Sequence, residues 1–200
     1  QLKLLAPILA MQTKVAYCIT EPEAGTDVSG IRTTAEPDGA GWRLNGGKIW
    51  IHNAPVADLG FVLARTDKEA GNRGMSIFIV DLHAAGVERG PKEHKMGQRA
   101  SQVGALTFSD VRLGPEALLG EAGRGFHMMM SVLDKGRVGI SALAVGIAQA
   151  GLEAALDYAA TRKQFGKAIA EFQGVQWLLA DMAKDIEAAR LLVHSAATKI

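Results

Sequence analysis

Between Val138 and Ala160 the chain carries charge only at Glu153 and Asp157, and no proline stands between Phe126 and Lys163. A helix written this way is apolar on nearly every face and has to be covered on several sides. It therefore sits inside a bundle or is shared with another subunit. Asp134-Lys135-Gly136-Arg137 is expected to bend or break the helical region, because glycine costs about 1 kcal/mol in a helix interior relative to alanine. Gly166 is expected to close it. A second helix is expected from Glu171 to Ala197, where Val175, Leu178, Leu179, Met182, Ile186, Ala189 and Val193 recur at steps of three and four. Two helices cannot bury that much apolar surface by themselves. Gln1–Met11, with Leu2, Leu4, Leu5, Ile8 and Leu9, reads as the tail of one more.

The first half has another texture. From Thr13 to Val111, short β-branched and aromatic runs alternate with turn clusters. Strands are expected at Val15–Thr20, Ile31–Ala35, Trp42–Leu44, Lys48–His52, Leu59–Ala64, Met75–Val80 and Ala105–Phe108. Asn45-Gly46-Gly47 fits a tight hairpin turn, since Asn and Gly accept positive φ, and Asp38-Gly39 fits another. Many short strands with no helices between them imply an antiparallel barrel or sandwich. The fold class expected is α+β and multidomain, a β domain followed by an α-helical bundle.

Several function classes fall away. The 22 basic and 21 acidic residues leave a net charge of +1, which gives no basis for nucleic-acid or acidic-surface binding. No apolar run is expected to approach the ~20 residues of a membrane span. Cys18 is the only cysteine, which fits a reducing compartment and rules out an internal disulfide. The histidines, at 52, 83, 94, 127 and 194, form no metal-spaced pair with a carboxylate. No glycine-flanked serine sits in a nucleophile elbow. Gly120–Gly125 lacks the ending of a phosphate loop and reads as a flexible turn into a helix. Met128-Met129-Met130 reads as packing filler rather than a ligand surface. The first residue is Gln1, so a fragment or processed chain is expected.

Tyr17-Cys18-Ile19-Thr20-Glu21-Pro22-Glu23-Ala24-Gly25-Thr26-Asp27 starts as a strand and stops on small and polar groups. It is followed in order by Lys48-Ile49-Trp50-Ile51-His52-Asn53, Lys95-Met96-Gly97-Gln98-Arg99-Ala100-Ser101, Phe108-Ser109-Asp110-Val111, Leu133-Asp134-Lys135-Gly136-Arg137, Arg162-Lys163-Gln164-Phe165-Gly166 and Phe172-Gln173. This series resembles the acyl-CoA dehydrogenase family over essentially the whole chain. The resemblance implies the end of an N-terminal helical domain at 1–12, a middle β-barrel domain at 13–115, and the first part of a C-terminal four-helix bundle at 122–200. It implies FAD bound between barrel and bundle, an acyl-CoA substrate, and an electron-transferring flavoprotein as electron acceptor. A homo-oligomer, dimer or tetramer, is implied, with FAD contacts exchanged between subunits. The setting implied is the bacterial cytoplasm or, in a eukaryote, the mitochondrial matrix.

The resemblance also gives residues roles. Tyr17, Ile19 and Thr20 resemble flavin-edge residues, where oriented N–H and O–H donors would stabilise negative charge arriving on the ring. Gly25 and Thr26 match positions near the pyrophosphate and the pantetheine of CoA. Trp50 matches the family's flavin-stacking tryptophan. Arg162, Gln164 and Phe165 resemble groups reaching the FAD of a neighbouring subunit, and Gln173 matches a second FAD contact. Asp134 and Arg137 match residues touching CoA. Four of these have a plainer alternative: a self-satisfied strand end at Tyr17–Thr20, a core tryptophan at Trp50, a helix C-terminal cation at Arg162, and an exposed ion pair at Asp134 and Arg137 worth at most about 1 kcal/mol.

Three positions depart from the family pattern. Glu23 stands where glycine is frequent, Thr26 where serine is frequent, and His52 where a threonine or serine usually donates near the reactive flavin nitrogen. A histidine can also donate and titrates near neutrality. In a minority of the family the glutamate base lies at the position of Gly136, which cannot serve, so the base is expected beyond Ile200 and no catalytic residue is assigned. Desaturation of an acyl-CoA is the expected chemistry. An acyl-CoA oxidase, an enoyl-CoA reductase or a non-catalytic relative on the same scaffold are the alternatives.

Overall fold

The computed structural model describes residues 2–200; Gln1 lies outside the described residues. The chain divides into two compact units, one running up to Met129 and one from Met130 to Ile200.

The first unit opens with helix α1 (Leu2–Leu9), followed by β1 (Val15–Cys18). The β region comprises β2 (Thr34–Asp38), β3 (Gly41–His52), β4 (Leu59–Arg65), β5 (Met75–Asp81), β6 (Val87–Arg89), β7 (Val103–Leu113) and β8 (Leu118–Leu119). The hydrogen-bonded order is β6-β7-β3-β2-β4-β5-β8, with β1 parallel to β4. The β domain expected from the sequence is present, but its sheet is mixed and does not close into a barrel. The β2–β4 neighbours are parallel as well. The core of this unit includes Cys18, Ala35, Leu44, Val62, Phe78, Leu106 and Val111. Trp42 packs edge-on against Phe78, with ring centroids 5.3 Å apart.

The Asn45-Gly46-Gly47 hairpin is not formed. β3 runs straight through it as one 12-residue strand paired with β7 on both sides of the segment. Asn45 instead faces a bulge in β7. Its Oδ1 accepts from the Asp110 N–H at 2.8 Å, and its Nδ2 donates to the Asp110 carboxylate at 3.1 Å. Gly46 uses its freedom differently: at φ +140°, its missing Cβ would come within 2.6 Å of Thr33. The hairpin at Asp38-Gly39 is formed, with Gly39 at φ +63°. The strand expected at Ile31–Ala35 starts later, at Thr34. The Arg32 and Thr33 amides turn to the Glu21 carboxylate instead of a ladder.

The second unit contains most of α2 (Gly125–Thr161), the hairpin β9 (Lys163–Gln164) and β10 (Lys167–Ala168), and α3 (Gln173–Ala197). α2 is unbroken over 37 residues, so the break expected at Asp134–Arg137 does not occur. Gly136 has open space around its α-carbon, and helical continuity on either side outweighs its propensity cost. By length and composition α2 is apolar enough to cross a membrane, contrary to the expectation that no run approached that length. Gly166 does not cap the helix, which ends at Thr161. It forms the β9–β10 turn with Phe165, at φ +81° and +53°. Val145 and Leu152 of α2 pack against Ile186 of α3, flanked by Leu179, Ala189 and Val193. The seven-residue steps 145–152 and 179–186–193 are those of a helix–helix seam.

Candidate functional site

The opening motif stops being a strand because three local devices take over its backbone. Pro22 presets φ for a tight turn, closed by reciprocal bonds between Glu21 and Ala24 at 2.9 and 3.1 Å. Asp27 then caps a short 3-10 turn by accepting from the Ser29 N–H. The strongest device is an ion pair that sequence reading passed over. Lys48, fully buried, donates from Nζ to Glu21 Oε1 at 2.7 Å and to the Ile19 carbonyl at 2.9 Å. Glu21 also accepts from the Arg32 N–H at 2.6 Å and the Thr33 N–H at 3.1 Å. Burial pushes the Glu21 carboxyl up, but Lys48 and these donors outweigh it and hold it below the ordinary carboxylate range. Burial lowers Lys48, and Glu21 offsets only part of that. The available signal was a lone lysine leading into the apolar strand run Ile49-Trp50-Ile51.

Two residues past Lys48 the β3 ladder is irregular. Lys48 pairs with Leu106 and Ile51 with Gly104, so Ile49 and Trp50 together oppose Ala105. This is a β-bulge, a device that re-aims a side chain. The Ile49 N–H turns to the Thr20 carbonyl at 2.9 Å. Trp50 takes φ +58°, uncommon for a bulky residue, and is 59% exposed on a strand whose neighbour Ile51 is buried. Tyr17, Ile19, Thr20, Trp50 and His52 are thus brought onto two adjoining segments. The Tyr17 O–H is already committed, donating to the Met129 carbonyl at 2.8 Å, and burial pushes its phenol up to about 12. Its proton is therefore not available to a ligand, and the hydroxyl oxygen can only accept. Gly25 and Thr26 are exposed on the turn beyond.

His52, exposed at the end of β3, places Nδ1 2.9 Å from the Ser101 hydroxyl. The Asn53 N–H donates to the Gln102 carbonyl at 2.7 Å, so the end of β3 is stitched to the loop carrying Lys95–Ser101. That loop borders a cavity of about 700 Å³ lined by Lys92, Glu93, His94, Lys95, Met96 and Arg99. Among the described residues, no group of three or more His, Cys, Asp or Glu could hold a metal.

In the second unit, Arg162, Gln164 and Phe165 are brought together on the hairpin, and Gln173 opens α3. Phe165 is 93% exposed at the turn, with its ring edge-on to Phe172 at 6.2 Å. The Lys167 ammonium lies 4.4 Å from the Phe172 ring centroid. Asp134 and Arg137 form an exposed pair at 2.6 Å within α2.

The bulge thus leaves the Trp50 indole exposed, next in sequence to Ile49, whose N–H is bonded to the Thr20 carbonyl. Residues 16–111 match the acyl-CoA dehydrogenase middle domain, and residues 123–200 match the acyl-CoA dehydrogenase C-terminal domain. The chain belongs to the acyl-CoA dehydrogenase family. It is 46% identical over 198 residues to a short-chain specific acyl-CoA dehydrogenase of Megasphaera elsdenii, covering 98% of this chain and 52% of that protein. It is 45% identical over 196 residues to subunit CarC of the caffeyl-CoA reductase-Etf complex of Acetobacterium woodii, again covering 98% and 52%. Butyryl-CoA dehydrogenase from Megasphaera elsdenii has the same fold with a TM-score of 0.95 at 45% identity, covering 98% of this chain and 52% of that one. The chain spans about half the length of the curated relatives it matches.

Proposed function

We propose that this chain is the flavin-binding part of an FAD-dependent acyl-CoA dehydrogenase. The observation that carries the reading is the exposed, bulge-held Trp50 beside Thr20. An indole face open to solvent supplies stacking area for a planar ring. The left-handed backbone beneath it is the kind of local strain that persists where a ligand uses it. The residues present therefore fit an isoalloxazine. Bound FAD would supply the electron acceptor for hydride leaving the acyl β-carbon.

The chain's own residues would bind and orient. Thr20 and His52 would present donors to the flavin, Ile19 and the Tyr17 ring would line its edge, and Gly25 and Thr26 would lie towards the pyrophosphate and pantetheine. Donors fixed in place before charge develops stabilise it without reorganisation. Arg162, Gln164, Phe165 and Gln173 would meet the FAD of a second subunit, the arginine fork suiting a pyrophosphate. Asp134 and Arg137 would touch CoA. The α-proton would be taken by a glutamate beyond Ile200. An electron-transferring flavoprotein is the proposed acceptor, supported by the Etf-complex relative, and a homo-oligomer is the proposed assembly. The domains proposed are 1–12, 13–115 and 122–200. Within this assembly the apolar length of α2 belongs to a helical bundle, as its place in the C-terminal-domain match supports. Bacterial cytoplasm or mitochondrial matrix is the proposed setting.

The test is spectroscopic. The whole protein purifies yellow with FAD, and butyryl-CoA without oxygen bleaches the flavin band. A colourless protein that takes up no FAD rejects the proposal. Oxygen uptake during turnover would make it an oxidase. Reduction of an enoyl-CoA without net desaturation would make it a reductase, the direction in the name of the Acetobacterium relative.

A further inference from the structure

We infer that Lys48 and Glu21 are positioning residues for the flavin, a role that rests on the function proposed above. Lys48 lies in β3 two residues before Trp50, and Glu21 lies one residue after Thr20. Their ion pair at 2.7 Å is the side-chain link between the two segments, and the Ile49–Thr20 backbone bond is the main-chain link. The second Lys48 bond, to the Ile19 carbonyl at 2.9 Å, fixes the peptide directly before Thr20. The other end of the link is equally anchored, because Glu21 holds the Arg32 and Thr33 amides and so ties the motif to the start of β2.

Both side chains are almost wholly removed from water, at 0% and 5% exposed. A buried pair of this kind is weak as a source of net stability. What it supplies is a fixed distance between Thr20 and the bulge, and sites of this sort depend on such supporting contacts. Lys48 and Glu21 are therefore not placed to meet a ligand in solvent themselves. They act through Ile19, Thr20 and the backbone beneath the indole.

The experiment compares wild type, Lys48→Met, Glu21→Gln and the double variant in the whole protein. The readouts are thermal midpoint, FAD dissociation constant for the apoprotein, and visible circular dichroism of bound flavin. Lys48→Met leaves a buried carboxylate unbalanced and is expected to lower the midpoint. The double variant removes both charges, while the amide oxygen that Glu21→Gln introduces can still accept from the Arg32 and Thr33 N–H groups. It is expected to regain the midpoint yet bind FAD about tenfold more weakly, a change of about 1.4 kcal/mol, with an altered flavin dichroism band. Recovery of wild-type FAD affinity and dichroism in the folded double variant overturns the role while leaving the proposed function intact. Loss of the fold in every variant also overturns it, since the pair would then be needed for the domain itself. A wild-type protein that takes up no FAD overturns the proposed function and this role together.

Discussion

At the scale of single residues, Glu21, Gly46 and His52 make separable predictions. Glu21 has a folded value below its ordinary 4.5. Its contribution is therefore fully present above pH 4.5 and is lost as pH falls through the lower folded value. Glu21→Gln should flatten the acid limb of a stability-versus-pH curve below about pH 4.5, read by urea unfolding at a series of pH values. Gly46→Ala should cost about 2 kcal/mol, because the new methyl meets the Thr33 α-carbon and hydroxyl from a backbone at φ +140°. Chemical denaturation measures that directly. For His52, the proposed flavin donor, the Ser101 contact orients the ring and leaves Nε2 as the free nitrogen. His52→Thr should therefore change the rate of flavin reduction by butyryl-CoA in stopped flow. An unchanged rate removes His52 from contact with the flavin.

At the scale of elements, the β9–β10 turn is the sharpest case. Phe165 and Gly166 are both left-handed, and the hairpin is only two residues long on each side. Gly166→Ala should cost about 1–2 kcal/mol of local stability. It should loosen the hairpin before the rest of the second unit, as amide exchange at Lys167 and Ala168 would show. Sequence pattern was a good guide to α3 and to β4 and β5, whose apolar periodicity is strong and whose partners lie nearby. It misread Asn45-Gly46-Gly47, because the same residues that suit a hairpin also suit a strand facing a bulge. The choice lay with β7, 65 residues away, through Asp110. It misplaced β2 for a similar reason: the Arg32 and Thr33 amides go to a carboxylate that pattern cannot pair with them. Trp50 and Thr20 were picked out through their order among other motifs. The bulge that turns the indole outward, and the Lys48–Glu21 pair beneath it, are consequences of tertiary contact and leave no periodic trace.

At the scale of the whole chain, covered and uncovered apolar surface are unevenly divided. The β core is buried, whereas α2 and α3 meet along one seam and leave other faces open. Ile140, Ile147, Tyr158, Leu191 and Leu192 are each at least 60% exposed. Large apolar side chains left open in this number suit burial against another surface. The 200-residue chain by itself should bind a hydrophobic dye and elute above its 21.2 kDa mass, as light scattering would show. A monomeric, dye-silent chain would mean that the two helices satisfy themselves.

The bulge at Ile49 and Trp50 has a consequence for how the chain tolerates change in length. Side chains alternate faces along a strand, so one residue more or less in a paired segment exchanges inside for outside. Two residues against one at Ala105 is therefore a counting device. Removing Ile49 would restore a regular ladder and return residue 50 to an ordinary strand position, without altering the chemistry of any other side chain. The aromatic platform is encoded in the number of residues between Lys48 and Ile51 as much as in their identity. Substitutions there are expected to be graded in effect, whereas a one-residue deletion should abolish FAD retention outright.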